Sequence, residues 1–131
     1  MAPERKLYLK LKKNTPGIKW TRLENLSSLG TPDCLGYNNS GNFFTVELKV
    51  TKGKKIKFSP HQIAFHVTHP KNTFILVEAL GQRSSKLIGW YLYRGSRIKE
   101  LEACGLELEP CAWGLKACCL ELVAWPLEPE A

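Results

Sequence analysis

Residues 30–50 read GTPDCLGYNNSGNFFTVELKV. Alternating apolar side chains flank NNSGN (38–42), a run of residues that tolerate positive φ and close tight turns. The pattern predicts an antiparallel hairpin centred on Ser40, in which residues whose numbers sum to 80 lie opposite each other. Asp33 then faces Glu47, with Cβ atoms roughly 5 Å apart, and like charges so opposed destabilise a sheet. Glu47 and Lys49, two apart on one strand, point to the same face about 7 Å from each other. Three charged groups therefore converge on one patch of one sheet face.

The rest of the chain makes that patch unusual. Of the 131 residues, 1–99 hold 18 Lys and Arg but only five acids, Glu4, Glu24, Asp33, Glu47 and Glu78. Residues 100–131 reverse the balance, with seven Glu against Lys116. A body this basic points to a polyanionic partner, most economically nucleic acid. A hydrophobic content of 44% and a charged content of 24% fit a globular protein, and the length fits one domain. No apolar run approaches the roughly 20 residues of a membrane span. The start, MAPERKLYLKLKK, lacks the apolar stretch of a secretory signal, so no membrane association and a cytoplasmic location are expected. Five cysteines, an odd number, then read as reduced thiols and not as a disulfide framework.

Outward from the hairpin, PERKLYLKLKKN (3–14) alternates as a strand could, but Pro3 suits a first helical position and a helix is expected. NTPG (14–17) ends it, and IKWTRLENL (18–26) reads as extended. Beyond the hairpin, Ser59, Pro60 and Gln62 form the start of a capped helix over SPHQIAFHVTH. NTFILVEAL (72–80) and KLIGWYLY (86–93) read as strands, and RGSRIKELEAC (94–104) as a helix. The order predicts an α/β (α+β) fold with a mixed central sheet flanked by helices. In the tail, ACGLEL (103–108) recurs as ACCLEL (117–122), while Gly105, Pro110 and Gly114 spoil a continuous helix. The expected organisation is a domain over 1–100 and an acidic, degenerate-repeat appendage over 101–131.

Two opposed carboxylates are explained if a divalent cation bridges them, since hard oxygen ligands with room for water and phosphate describe a Mg2+ site. A lysine beside them can orient water or offset charge on a phosphate. The alternative is a cross-strand ion network in which Lys49 neutralises both acids.

Pro32-Asp33, thirteen intervening residues and Glu47-Leu48-Lys49 resemble the PD-(D/E)XK nuclease signature. The wider string WTRLEN…GTPD…FFTVELKV…FSPHQIAFH is similar to a phage-type group of small nucleases near the VRR-NUC and Holliday-junction-resolvase-like branches. The resemblance spans about residues 18–78. It implies a restriction-endonuclease-like αβββαβ core and metal-dependent hydrolysis of DNA phosphodiester bonds, with Mg2+ as cofactor and Mn2+ as its substitute. Asp33, Glu47 and the Leu48 carbonyl would bind the metal, and Lys49 would position water or stabilise the transition state. An upstream acid completes such sites. Glu24 is the first choice and Glu4 the helix-borne alternative. Gln62 matches a glutamine found near such sites, and it also completes the capping box.

Lys52, Lys54, Lys55 and Lys57, joined by Arg22, are the candidate DNA-binding residues, giving affinity without sequence choice. His61, His66 and His69 do not share one helical face and read as solvent-facing or supporting groups, not zinc ligands. Trp90, Tyr91 and Tyr93 read as core or dimer contacts. The expected function is a structure-selective endonuclease acting on branched or duplex DNA, in the host cytoplasm if phage-encoded, with a homodimer allowed. The competing assignment is a non-catalytic nucleic-acid-binding accessory module on the same fold.

Overall fold

The computed structural model describes residues 2–23, 30–81 and 88–126. Helix α1 (Pro3–Asn14) opens the chain, with Pro at its start and Leu7, Tyr8 and Leu11 buried. These three recur at one-turn spacing, whereas Leu9 is left exposed, so the 3.6-residue period wins over the alternation that mimics a strand. Strands β1 (Lys19–Arg22), β2 (Cys34–Tyr37) and β3 (Phe43–Thr51) follow as an antiparallel meander. Helix α2 (Pro60–Thr68) crosses over to β4 (Thr73–Ala79), which lies parallel to β3. Antiparallel β5 (Gly89–Arg94), helix α3 (Ile98–Cys104), the short strand β6 (Ala112–Trp113) and helix α4 (Leu115–Val123) complete the chain. One mixed sheet results, in the order β1-β2-β3-β4-β5-β6, and its first six major elements run αβββαβ as expected.

The parity of β4 organises the two layers. All seven of its residues are buried, as a central strand covered on both faces requires. Phe74 and Leu76 join Leu7, Leu11, Phe44, Val46 and Leu92 on the face beneath α1 and α4. Ile75, Val77 and Ala79 join Phe58, Tyr91, Tyr93, Ile98 and Leu101 on the other. Glu78 falls on the first face and is buried. It accepts bonds from Trp90 Nε1 and Lys10 Nζ, both at 2.9 Å, which ties α1 to the sheet.

The described part of the tail, residues 101–126, packs against this body. β6 extends the sheet beside β5, and Cys118, Cys119 and Leu122 of α4 lie in the same core cluster as Leu7 and Leu92. Leu101 and Leu106 are buried on the other face. The sequence duplication has no structural counterpart: Cys104 ends α3, Cys111 precedes β6 and Cys118 lies inside α4. Burial of these few apolar side chains outweighs the repeat's polarity, and Gly105 and Gly114, both at positive φ, break the chain between short elements. All five cysteines are free thiols. Among the described residues no helix is long and apolar enough to cross a membrane.

Candidate functional site

The hairpin pairs in the register centred on Ser40, with Cys34 opposite Val46 and Tyr37 opposite Phe43. Asn38 fastens its turn. The Asn38 Oδ1 accepts the Ser40 and Asn42 N–H groups, while its Nδ2 donates to the Leu122 and Trp125 carbonyls. One step past Cys34–Val46, the same register sets Asp33 against Glu47, and one more sets Pro32 against Leu48. Pro32 has no N–H to contribute to the ladder. The Leu48 N–H goes instead to the Asp33 carboxylate, at 2.8 Å. The N–H and C=O of a strand residue project to the same edge, so the Leu48 carbonyl also faces Asp33. Gly30, at φ 83°, brings the Pro32-Asp33 segment past α2, where a Cβ would collide with the His61 carbonyl.

Glu47 is 2% exposed, and its Oε1 is buried without a hydrogen-bond partner. Burial, then a hydrogen bond and the negative charge of Asp33, push its carboxyl up to about 10. At neutral pH Glu47 is therefore held in its protonated form beside Asp33. Lys49 opposes this shift and Glu4 adds to it, so both charges are felt at the site. A divalent cation would fit this donor set: Asp33, Glu47 with its unpartnered Oε1, and the Leu48 carbonyl would hold it. Among the described residues no group of three or more His, Cys, Asp or Glu side chains is gathered to hold a metal. Two carboxylates with water and phosphate filling the remaining positions is the ligation Mg2+ accepts.

Lys49 is not ion-paired with either acid among the described residues. Its Nζ donates to Gln62 Oε1 at 3.1 Å and lies 5.0 Å from the centre of the Phe58 ring. Gln62 Oε1 also accepts the Ser59 N–H at 2.9 Å, and Ser59 Oγ accepts the Gln62 N–H at 3.1 Å. Gln62 thus caps α2 and also accepts a bond from Lys49.

Glu24 lies outside the described residues. Glu4, in the first turn of α1, lines a cleft of about 350 Å3 with Lys49, Lys52, Lys55 and Lys57. Glu4 thus shares a cleft with Lys49, and its charge is felt at Glu47. Lys54 points elsewhere and pairs with Glu107 at 2.7 Å, where the 3-10 turn Gly105–Glu107 docks on the loop through Leu106 N–H to the Lys54 carbonyl, 2.8 Å. Arg22 alternates onto the opposite sheet face, its guanidinium 4.8 Å from the Tyr8 ring centre beneath α1. It stands apart from the lysine-lined cleft.

His66 is fully buried, not solvent-facing. Its Nδ1 contacts the Gln62 carbonyl at 2.9 Å, Nε2 has no partner, and burial lowers its pKa, so the ring is held neutral. His69 is exposed and stacks on Phe65 at 4.1 Å, and His61 is exposed on α2. Trp90, Tyr91 and Tyr93 are core residues. Tyr37 and Phe43, which the motif does not single out, stay exposed although they occupy a strand pair. Their place in the alternation was the available signal, because it sets them on the same side as Asp33 and Glu47.

No protein-family model matches the chain, and no curated protein is significantly similar to it. Among solved structures it is similar to a Holliday junction resolvase, Hjc, from the archaeal hyperthermophile Archaeoglobus fulgidus. The likeness has a TM-score of 0.46 at 19% identity and covers 71% of this chain and 74% of that one.

Proposed function

We propose that this chain is a PD-(D/E)XK nuclease that hydrolyses DNA phosphodiester bonds with a divalent cation, Mg2+ or, in its place, Mn2+. The observation that carries the proposal is the Asp33–Glu47 pair: a basic protein places a buried Glu47, one oxygen of it unpartnered, against Asp33 and two residues from Lys49, which lines the lysine-rich cleft. Asp33, Glu47 and the Leu48 carbonyl would hold the cation, which when bound supplies Lewis acidity toward the phosphodiester. Lys49, steered by Gln62, places a positive charge where negative charge builds on the phosphate. Glu4 or Glu24 serves as the upstream acid, and the position of Glu4 on the cleft favours it. Lys52, Lys55 and Lys57 grip phosphates. Contacts of that kind carry no base information, which supports selection by DNA structure, branched or duplex, over selection by sequence. The motif string further supports the small phage-type group and a cytoplasmic site of action, that of the host if the protein is phage-encoded.

The test is a cleavage panel of four-way, duplex and single-stranded DNA in Mg2+, Mn2+ or EDTA. Cutting that needs the cation and differs between DNA structures is expected. Binding without cutting in every cation would leave the accessory-module alternative standing.

A further inference from the structure

The sheet face that carries the carboxylates continues away from them in three cross-strand rungs. Asp33–Glu47 is the first. Thr21, Leu35 and Thr45 form the second, and Lys19, Tyr37 and Phe43 the third. Alternation puts all of them on one side, because the intervening Trp20, Cys34, Phe44 and Val46 belong to the core beneath α1. The core on their own side is built over β4 and β5 with α3, while among the described residues Lys19, Thr21, Tyr37 and Phe43 at the β1–β2 end are exposed.

On this end Phe43 is 58% exposed and Tyr37 37%, with ring centroids 4.4 Å apart and planes tilted by 43°. The pair lines a shallow cleft of about 250 Å3 together with Lys19, Thr21, Leu35 and Gly36. Among the described residues of these three rungs, Asp33 and Glu47 are the acids. Two aromatic faces, a flanking cation and an uncharged threonine–leucine rung fit an unpaired nucleotide: its base has a π-face to stack, and its phosphate is drawn to Lys19. The positive charge of the body favours the same ligand.

We propose that Tyr37 and Phe43 are a stacking platform for unpaired nucleotides of DNA, so that the single-stranded arm of a branched or tailed substrate lies along this sheet face. Four residues of strand separate Phe43 from Glu47, about 13 Å. At 3.4 Å per stacked nucleotide the platform sits about four nucleotides from the carboxylates. The inference rests on the nuclease assignment for what happens at Asp33 and Glu47, but not for binding at the platform.

Fluorescence anisotropy in EDTA tests it without cleavage, using labelled oligodeoxythymidylate, a blunt duplex and the same duplex with a thymidine tail. The double variant Tyr37→Ala/Phe43→Ala should lose roughly 5- to 100-fold in affinity for the tail and the oligonucleotide per stacked base, and keep its affinity for the blunt duplex. No loss, or an equal loss on the blunt duplex, overturns the proposal. Phe43→Trp gives a second readout in a protein with its surface intact: oligodeoxythymidylate should quench the added indole fluorescence, and an unquenched signal overturns the proposal. A dimer that dissociates in the double variant, with oligonucleotide binding intact, assigns the patch to a second copy and overturns it too. A wild type that never cuts, yet binds tails through these rings, sinks the nuclease assignment and upholds the platform.

Discussion

In metal-free buffer, Glu47→Gln should flatten the pH dependence of stability by the equivalent of one proton. The native Glu47 carboxyl is raised from 4.5 to about 10 by burial and by Asp33, so folding takes up a proton at neutral pH. The sign follows: this contribution to stability is fully present below the unfolded value and is lost as pH climbs toward the folded one. Each pH unit in that window costs about 1.4 kcal/mol. From pH 5.5 to 8.5 the wild type should lose about 4 kcal/mol through this group alone. At about 3 °C per kcal/mol for a domain of this size, its melting point should fall about 12 °C further than that of the variant. Glutamine keeps the shape and can donate to Asp33, so the comparison isolates the charge. Melting curves by circular dichroism in EDTA at half-unit pH steps provide the difference, from which every other titrating group cancels. Parallel curves for the two proteins would refute the raised, buried Glu47 carboxyl. Metal adds a second arm. A cation must displace the proton, so Mg2+ at ten times its Kd should stabilise wild type by about 1.4 kcal/mol and leave Glu47→Gln unmoved.

Replacing Lys52, Lys54, Lys55 and Lys57 with alanine should weaken binding to all DNA sequences alike. The log–log salt slope should shrink by about 0.9 per lost duplex-phosphate contact, with Lys54 contributing least because Glu107 already pairs it. Lys49→Ala should abolish cleavage while DNA binding persists; it should cost about 1 kcal/mol of stability, since the bond to Gln62 is what it removes. Leu122→Ala should destabilise the whole protein in one cooperative transition by about 2–5 kcal/mol, because the side chain is fully buried in the main core. Separate melting of the tail would contradict its integration.

Much of the site was legible because a hairpin is governed by local rules. A turn of Asn, Ser and Gly fixes the register, the register opposes Asp33 and Glu47, and the period of two adds Lys49. The α2 cap was equally local: Ser59 and Gln62 bond as their spacing requires. What escaped depends on tertiary packing. Whether Arg22 reached the site hinged on which face of β1 meets α1, and a four-residue strand with the burial pattern exposed, half-buried, exposed, half-buried does not declare that. The tail reads as an appendage in sequence because its motif repeats and its glycines and proline are frequent. Only the sheet edge at β5 and the core beneath α4 give those few apolar residues something to cover. The burial of His66 follows from the packing of α2 near Gly95 and Thr73, contacts remote in sequence.

The central claim is that Asp33 and Glu47 bind a cation to cut DNA, and single-turnover cleavage of an end-labelled four-way junction measures it most directly. With wild type, Glu47→Gln and Asp33→Asn compared in 10 mM Mg2+, wild type should cut, EDTA should stop it, and both variants should bind the junction as well as or better than wild type without cutting. Cleavage by Glu47→Gln at the wild-type rate would contradict the account.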